Sequence, residues 1–84
     1  MTLNCADIHS REDLFRLFHG IFSGEFANNL DALHDALTSL PHQTELTLLN
    51  WTAAEEVLGR YAKTLQRMLA DAETENPLLT IHYK

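Results

Sequence analysis

The sequence has a single cysteine, Cys5, so no internal disulfide can form and the fold must rest on its apolar core. Such a chain suits a reducing compartment. No apolar run approaches the roughly 20 residues that a membrane-spanning helix needs. The opening Met1-Thr2-Leu3-Asn4 lacks a basic stretch followed by an apolar one, so no secretory signal is expected. The expected location is therefore cytoplasmic, with no membrane partner. Cations are scarce: six Lys and Arg face twelve Asp and Glu, a formal net charge of -6. Phosphate binding needs Lys and Arg, so a nucleic-acid ligand is disfavoured. The scarcity is also local. No Lys or Arg lies between Arg16 and Arg60, an interval that holds Glu25, Asp31, Asp35, Glu45, Glu55 and Glu56. Such a stretch is either solubilising surface or a patch that attracts a basic partner. There is no Gly-rich phosphate loop, and the five His residues form no H-E-x-x-H arrangement. Cys5 has no identifiable acid or His partner and reads as a small buried hydrophobe in the first strand. No cofactor, metal or catalytic group is expected.

What is present is enough apolar character for a core: 45% of 84 residues are hydrophobic. That length suits one domain, residues 1–84. Met1 to Cys5 suits an edge strand. Ser10 can cap a helix whose stripe is Leu14, Leu17, Phe18, Ile21 and Phe22, with Gly20 and Gly24 marking its end and a loop. A second helix is expected from about Asn29 to Ser39, capped by Asn28 or Asn29. Glu45 to Leu49 reads as a buried strand. Thr52-Ala53-Ala54-Glu55 reads as a capping box that opens a third helical region. Gly59 can split that region, or the two parts can merge. Tyr61, Leu65, Met68, Leu69 and Ala72 supply its stripe, and Asn76-Pro77 stops it. Leu78 to Tyr83 has the β-branched and aromatic character of a last strand, and Trp51, at the end of the strand before, reads as core. Strands separated by helices pair most naturally in parallel. The expected fold is a two-layer α/β domain with a three-stranded parallel sheet packed with three to four helices.

The second helix carries the functional signal. Leu30, Leu33, Leu37 and Leu40 recur at three- and four-residue steps, and at about 100° per residue they gather on one side. Asp31, His34, Asp35 and Thr38 gather on the other. Two carboxylates four residues apart repel slightly, a small cost with no local compensation. On average such a pair is merely solvated surface.

The segment Asn29-Leu30-Asp31-Ala32-Leu33-His34-Asp35-Ala36-Leu37-Thr38 resembles the signature helix of the barstar family, intracellular inhibitors of the bacterial ribonuclease barnase. The family pattern is N-L-D-A-L-W-D-A-L-T, so His34 stands in place of a Trp. Leu3-Asn4 through Ile8, Asp13-Leu14, Thr47-Leu48-Leu49-Asn50-Trp51 and Leu79-Thr80-Ile81 resemble flanking elements in the same order. The resemblance implies a barstar-like fold and the binding of a basic ribonuclease through the acidic helix face. By position it implies that Asp35 enters the enzyme's phosphate site and Asp31 makes a second contact. It further implies that Asn29 matches the motif Asn, Phe26 a loop tyrosine, and Asp71 a glutamate that makes a peripheral charge contact. Three positions depart from the pattern beside His34: Glu25 replaces a loop tyrosine, and Ser39-Leu40 replace Gly-Trp. These departures leave open a barstar-like interaction module with a different basic partner. A third reading, a small hydrolase using the aspartate pair, has little room for a substrate cleft. The free protein is expected to be a monomer.

Overall fold

Ser10 opens the first helix as its spacing predicts. Its Oγ accepts from the Asp13 N–H at 3.2 Å, and the Asp13 carboxylate accepts from the His9 N–H at 2.9 Å, so two free donors are satisfied reciprocally. In the computed structural model, which describes residues 1–22 and 25–84, this helix is α1, Arg11–Ile21. Gly24, read above as part of the following loop, lies outside the described residues. Ahead of α1 come β1, Thr2–Asn4, and a 3-10 turn, Cys5–Asp7. After it come α2 (Leu30–Thr38), β2 (Thr44–Leu49), α3 (Trp51–Leu58), α4 (Arg60–Glu75) and β3 (Leu79–Tyr83).

The three strands form one sheet in the order β1-β2-β3, and both pairings are parallel, as expected. Leu3 pairs with Leu48, and Leu46 pairs with Ile81. These side chains point to one face and are buried. The helices cover that face with Leu14, Phe15, Phe18, Leu33, Leu37, Leu65 and Leu69, all buried in the same cluster. The alternate residues of β2, Glu45, Thr47 and Leu49, are exposed or half-buried. So β2 is not the wholly buried strand its apolar run suggested. With two layers, only one sheet face has helices to cover it, and every second residue meets water.

Three further local expectations are corrected. Cys5 is buried, but it opens the 3-10 turn and does not extend β1. Leu40 lies beyond the end of α2 and packs on the core from the following turn. The Thr52–Glu55 capping box is not formed, because α3 starts one residue before Thr52, at Trp51. Asn50 precedes it with φ 56° and no side-chain capping bond. The short β2-to-α3 connection needs a sharp reversal, and a left-handed residue, which Asn tolerates, provides it. Trp51 is then carried into the core, edge-on to Tyr83 with ring centroids 5.1 Å apart.

Gly59 does separate α3 from α4. Its φ of 57° and ψ of -126° belong to a region that only glycine adopts without strain. Burial pushes the Cys5 thiol up to about 11 and the Tyr83 hydroxyl up to about 12, the latter helped by the neighbouring Glu73 carboxylate. No helix of the described residues is long and apolar enough to cross a membrane.

Candidate functional site

The helix α2 is fixed at both ends. Asn29, not Asn28, is its N-cap: Oδ1 accepts from the Ala32 N–H at 2.8 Å. At the other end Thr38 Oγ1 donates to the His34 carbonyl at 2.9 Å. There the Asn76 side chain, 5% exposed, donates to the carbonyls of Leu37 at 3.0 Å and Leu40 at 3.3 Å. Leu33 and Leu37 are fully buried beneath. The helix is therefore a rigid ridge whose outer side is set by sequence spacing.

That outer side carries Asp31 and Asp35. Both are exposed, the Asp35 side chain by 87%. Among the described residues no Lys or Arg forms an ion pair with either. Asp31 lies in the first helical turn, where the dipole favours a negative charge.

The two aspartates do not share a pocket. Asp31 lines a groove of about 410 Å³ between α2 and α4, together with Leu30, His34, Thr64, Arg67, Met68 and Asp71. Asp71 is thus brought beside Asp31, although 40 positions separate them in the chain numbering. Asp35 lines a shallower recess of about 360 Å³ with Glu25, Phe26, Ala32, Ala36 and Ser39. Glu25, Phe26, Ala36 and Ser39 continue into a cleft of about 580 Å³ that also takes in Phe22, Leu40, Pro41 and His42. The three positions that depart from the family pattern beside His34 therefore converge on one flank of the ridge.

His34 does not stand out between the aspartates. Its side chain is 25% exposed and turned to α4, with Nε2 2.8 Å from Glu75 Oε2 and Nδ1 3.9 Å from Asp35 Oδ1. Four residues after Leu30, it sits about 40° round from it, at the margin of the leucine stripe. Glu75 was not singled out from sequence. Its spacing of four from Asp71 on one helix face was the available signal. Phe26 is half-buried and its ring stacks on His19 at a centroid distance of 4.0 Å. Among the described residues no group of three or more His, Cys, Asp and Glu could hold a metal ion.

A rigid, exposed acidic ridge whose aspartates pair with no Lys or Arg among the described residues can accept hydrogen bonds from cations, and the separate flanking recesses can receive side chains from a partner. No individual curated protein matches the chain. The family model described as Barstar (barnase inhibitor) matches residues 1–82, and the chain belongs to that family, one of inhibitors and not of catalysts.

Proposed function

We propose that this chain inhibits a basic ribonuclease by seating the α2 ridge in that enzyme's phosphate-binding site. The observation that carries the reading is the state of Asp35: 87% of its side-chain surface is exposed, on a helix anchored at both ends, and among the described residues no Lys or Arg pairs with it. A ribonuclease site holds phosphate and is lined with Arg, Lys and His. A carboxylate on a rigid helix can take the place of phosphate and accept charge-assisted, bidentate hydrogen bonds from Arg. Because the helix is ordered before docking, little further entropy is lost on binding. Asp31 supports Asp35 from one turn earlier, and Asp71 adds charge across the groove. Asn29 and Thr38 hold the helix ends, while Phe26 and His34 shape the flanks. A net charge of -6 steers a basic partner toward the surface. On this reading residues 1–84 act as a single domain, monomeric when free, in the cytoplasm, with neither cofactor nor nucleic-acid ligand.

The direct test is to titrate the protein into basic ribonucleases, barnase among them, and follow RNA cleavage. Stoichiometric loss of activity is expected. If no basic ribonuclease is either bound or inhibited, the reading fails.

A second reading is favoured by one observation. Glu25, Ser39 and Leu40 line the cleft continuous with the recess beside Asp35, so that flank is shaped for a contour of its own. A barstar-like module with a different basic partner and no inhibitory role would use the same ridge. Affinity capture with identification of the bound protein separates the two.

A further inference from the structure

From Glu25 to Asn28 the chain has neither helix nor strand, yet it delivers Phe26 to the wall of the recess that holds Asp35. Its backbone contributes a hydrogen bond from the Asn29 N–H to the Ala27 carbonyl at 2.8 Å. One side chain in the last turn of α1, His19, holds this segment in two ways. The imidazole lies on the Phe26 ring with centroids 4.0 Å apart and planes 14° from parallel. Its Nε2 lies 2.9 Å from Asn28 Oδ1. An amide oxygen only accepts, so Nε2 carries the proton and donates.

The two contacts fall on either side of Ala27 and immediately before Asn29, the cap of α2. They fix both the ring of Phe26 and the direction in which the chain enters the helix. Histidine suits this place because it offers a flat face and an N–H edge together. Phenylalanine would offer only the face, and glutamine only the donor. His19 is half-buried, outside the buried core cluster, and makes no ion pair with the described residues.

We propose that His19 is a positioning residue for the binding ridge, holding residues 25–29 in the docking arrangement before any partner arrives. The proposal rests on the reading that the ridge docks on a basic ribonuclease. Its physical content is preorganisation: a wall that is already set need not be ordered on binding.

The test uses the full chain with His19→Ala, His19→Phe and Asn28→Ala. Amide hydrogen exchange at Asn29 reports order in the segment, and exchange at Leu46 in β2 reports global folding. Binding to barnase, or to another basic ribonuclease that wild type inhibits, reports function. His19→Ala should speed exchange at Asn29 by about tenfold and weaken binding by about tenfold, the scale of one stack and one hydrogen bond lost together. Exchange at Leu46 should not change. His19→Phe should restore part of both losses, and Asn28→Ala should cost less than His19→Ala. The imidazole face should hold the Phe26 ring protons upfield in wild type, and they should move downfield in His19→Ala. Unchanged exchange at Asn29 overturns the clamp. Faster exchange with unchanged affinity overturns the positioning role and leaves the inhibitor reading standing. Failure of the inhibitor reading itself shows in wild type, before any variant is made.

Discussion

Asn76 donates a side-chain hydrogen bond to the carbonyl of Leu37 at 3.0 Å, tying the end of α4 to the end of α2. A second bond reaches the Leu40 carbonyl at 3.3 Å, and its Oδ1 accepts from the Leu78 N–H at 3.1 Å. The last carbonyls of a helix have no partner within it, and burying them unpaired is costly. One buried amide thus closes α2, starts the turn into β3 and sets where the acidic ridge stands.

Replacing Asn76 by Ala should therefore destabilise the fold by about 2–3 kcal/mol, since two carbonyls lose their donor inside the protein. Asn76→Asp should cost more, because it keeps the acceptor, loses the donor and buries a charge beside carbonyl oxygens. Urea unfolding at neutral pH measures both. A loss under about 0.5 kcal/mol, the size of an ordinary surface change, would show that water replaces the amide without penalty.

Gly59→Ala should cost about 1–3 kcal/mol for conformational reasons alone. A Cβ there would meet no atom within 4 Å, so crowding contributes nothing. The cost comes from the φ of 57° combined with a ψ of -126°. Thermal unfolding of Gly59→Ala and Gly59→Asn should show both lowered, with no change in the exposure of Val57 or Arg60 to solvent probes.

Alkali should unfold the protein earlier than its net charge alone explains. The Cys5 thiol rises from 9.0 to about 11, and the Tyr83 hydroxyl from 10.0 to about 12. In each case the folded state keeps a proton that the unfolded chain loses. Stability from these groups is complete below pH 9 and is lost as pH rises toward 12. Solvent reaching the half-buried Tyr83 screens its share of the loss. Urea midpoints at pH 7.5, 9.5 and 10.5 follow it. Tyr83→Phe should be less sensitive than wild type across that interval, and a parallel decline in both would remove Tyr83 as a cause.

Much of the framework could be read from local chemistry. Ser10, Asn29 and Gly59 act at backbone positions that only a few residue types satisfy; the start of α1 was visible from this, while Asn28 as the cap of α2 and a merged last helix stayed open. The parallel sheet followed from strands separated by helices. The errors have physical causes. Thr52 and Glu55 have the side chains of a capping box, but the reversal at Asn50 starts α3 early and leaves the box inside the helix. Glu45 to Leu49 looked buried throughout because local sequence does not tell how many layers cover a sheet. At the candidate site, the outward placement of Asp31 and Asp35 followed from helical spacing. The pairing of His34 with Glu75, the two flanking recesses and the clamp at His19 depend on how α1, α2 and α4 meet. No local pattern encodes that meeting.

The strongest prediction concerns the ridge, where binding and stability should move in opposite directions. Asp31 and Asp35 stand four residues apart on one helix and repel one another, which costs about 0.2–0.5 kcal/mol. Alanine is also the better helix former. Asp35→Ala should therefore leave the isolated protein as stable as wild type or slightly more so, since the side chain is 87% exposed and its ion-pair contact among the described residues is a long one, 3.9 Å to His34 Nδ1. The same change should weaken binding to an inhibited ribonuclease by about 2–5 kcal/mol, the general range for truncating one member of a buried charge pair, to which barnase–barstar itself contributes. Asp31→Ala and Asp71→Ala should cost less, because they line a groove at the side of the ridge. All three should slow association more at low ionic strength than at high, where screening already weakens steering. Stopped-flow association across a salt series, beside urea unfolding of the free variants, reads every one of these effects. If Asp35→Ala unfolds the domain, or binds as wild type does, the ridge is not the working surface. If it is more stable and no longer binds, Asp35 is held on the surface by function against a small cost in stability.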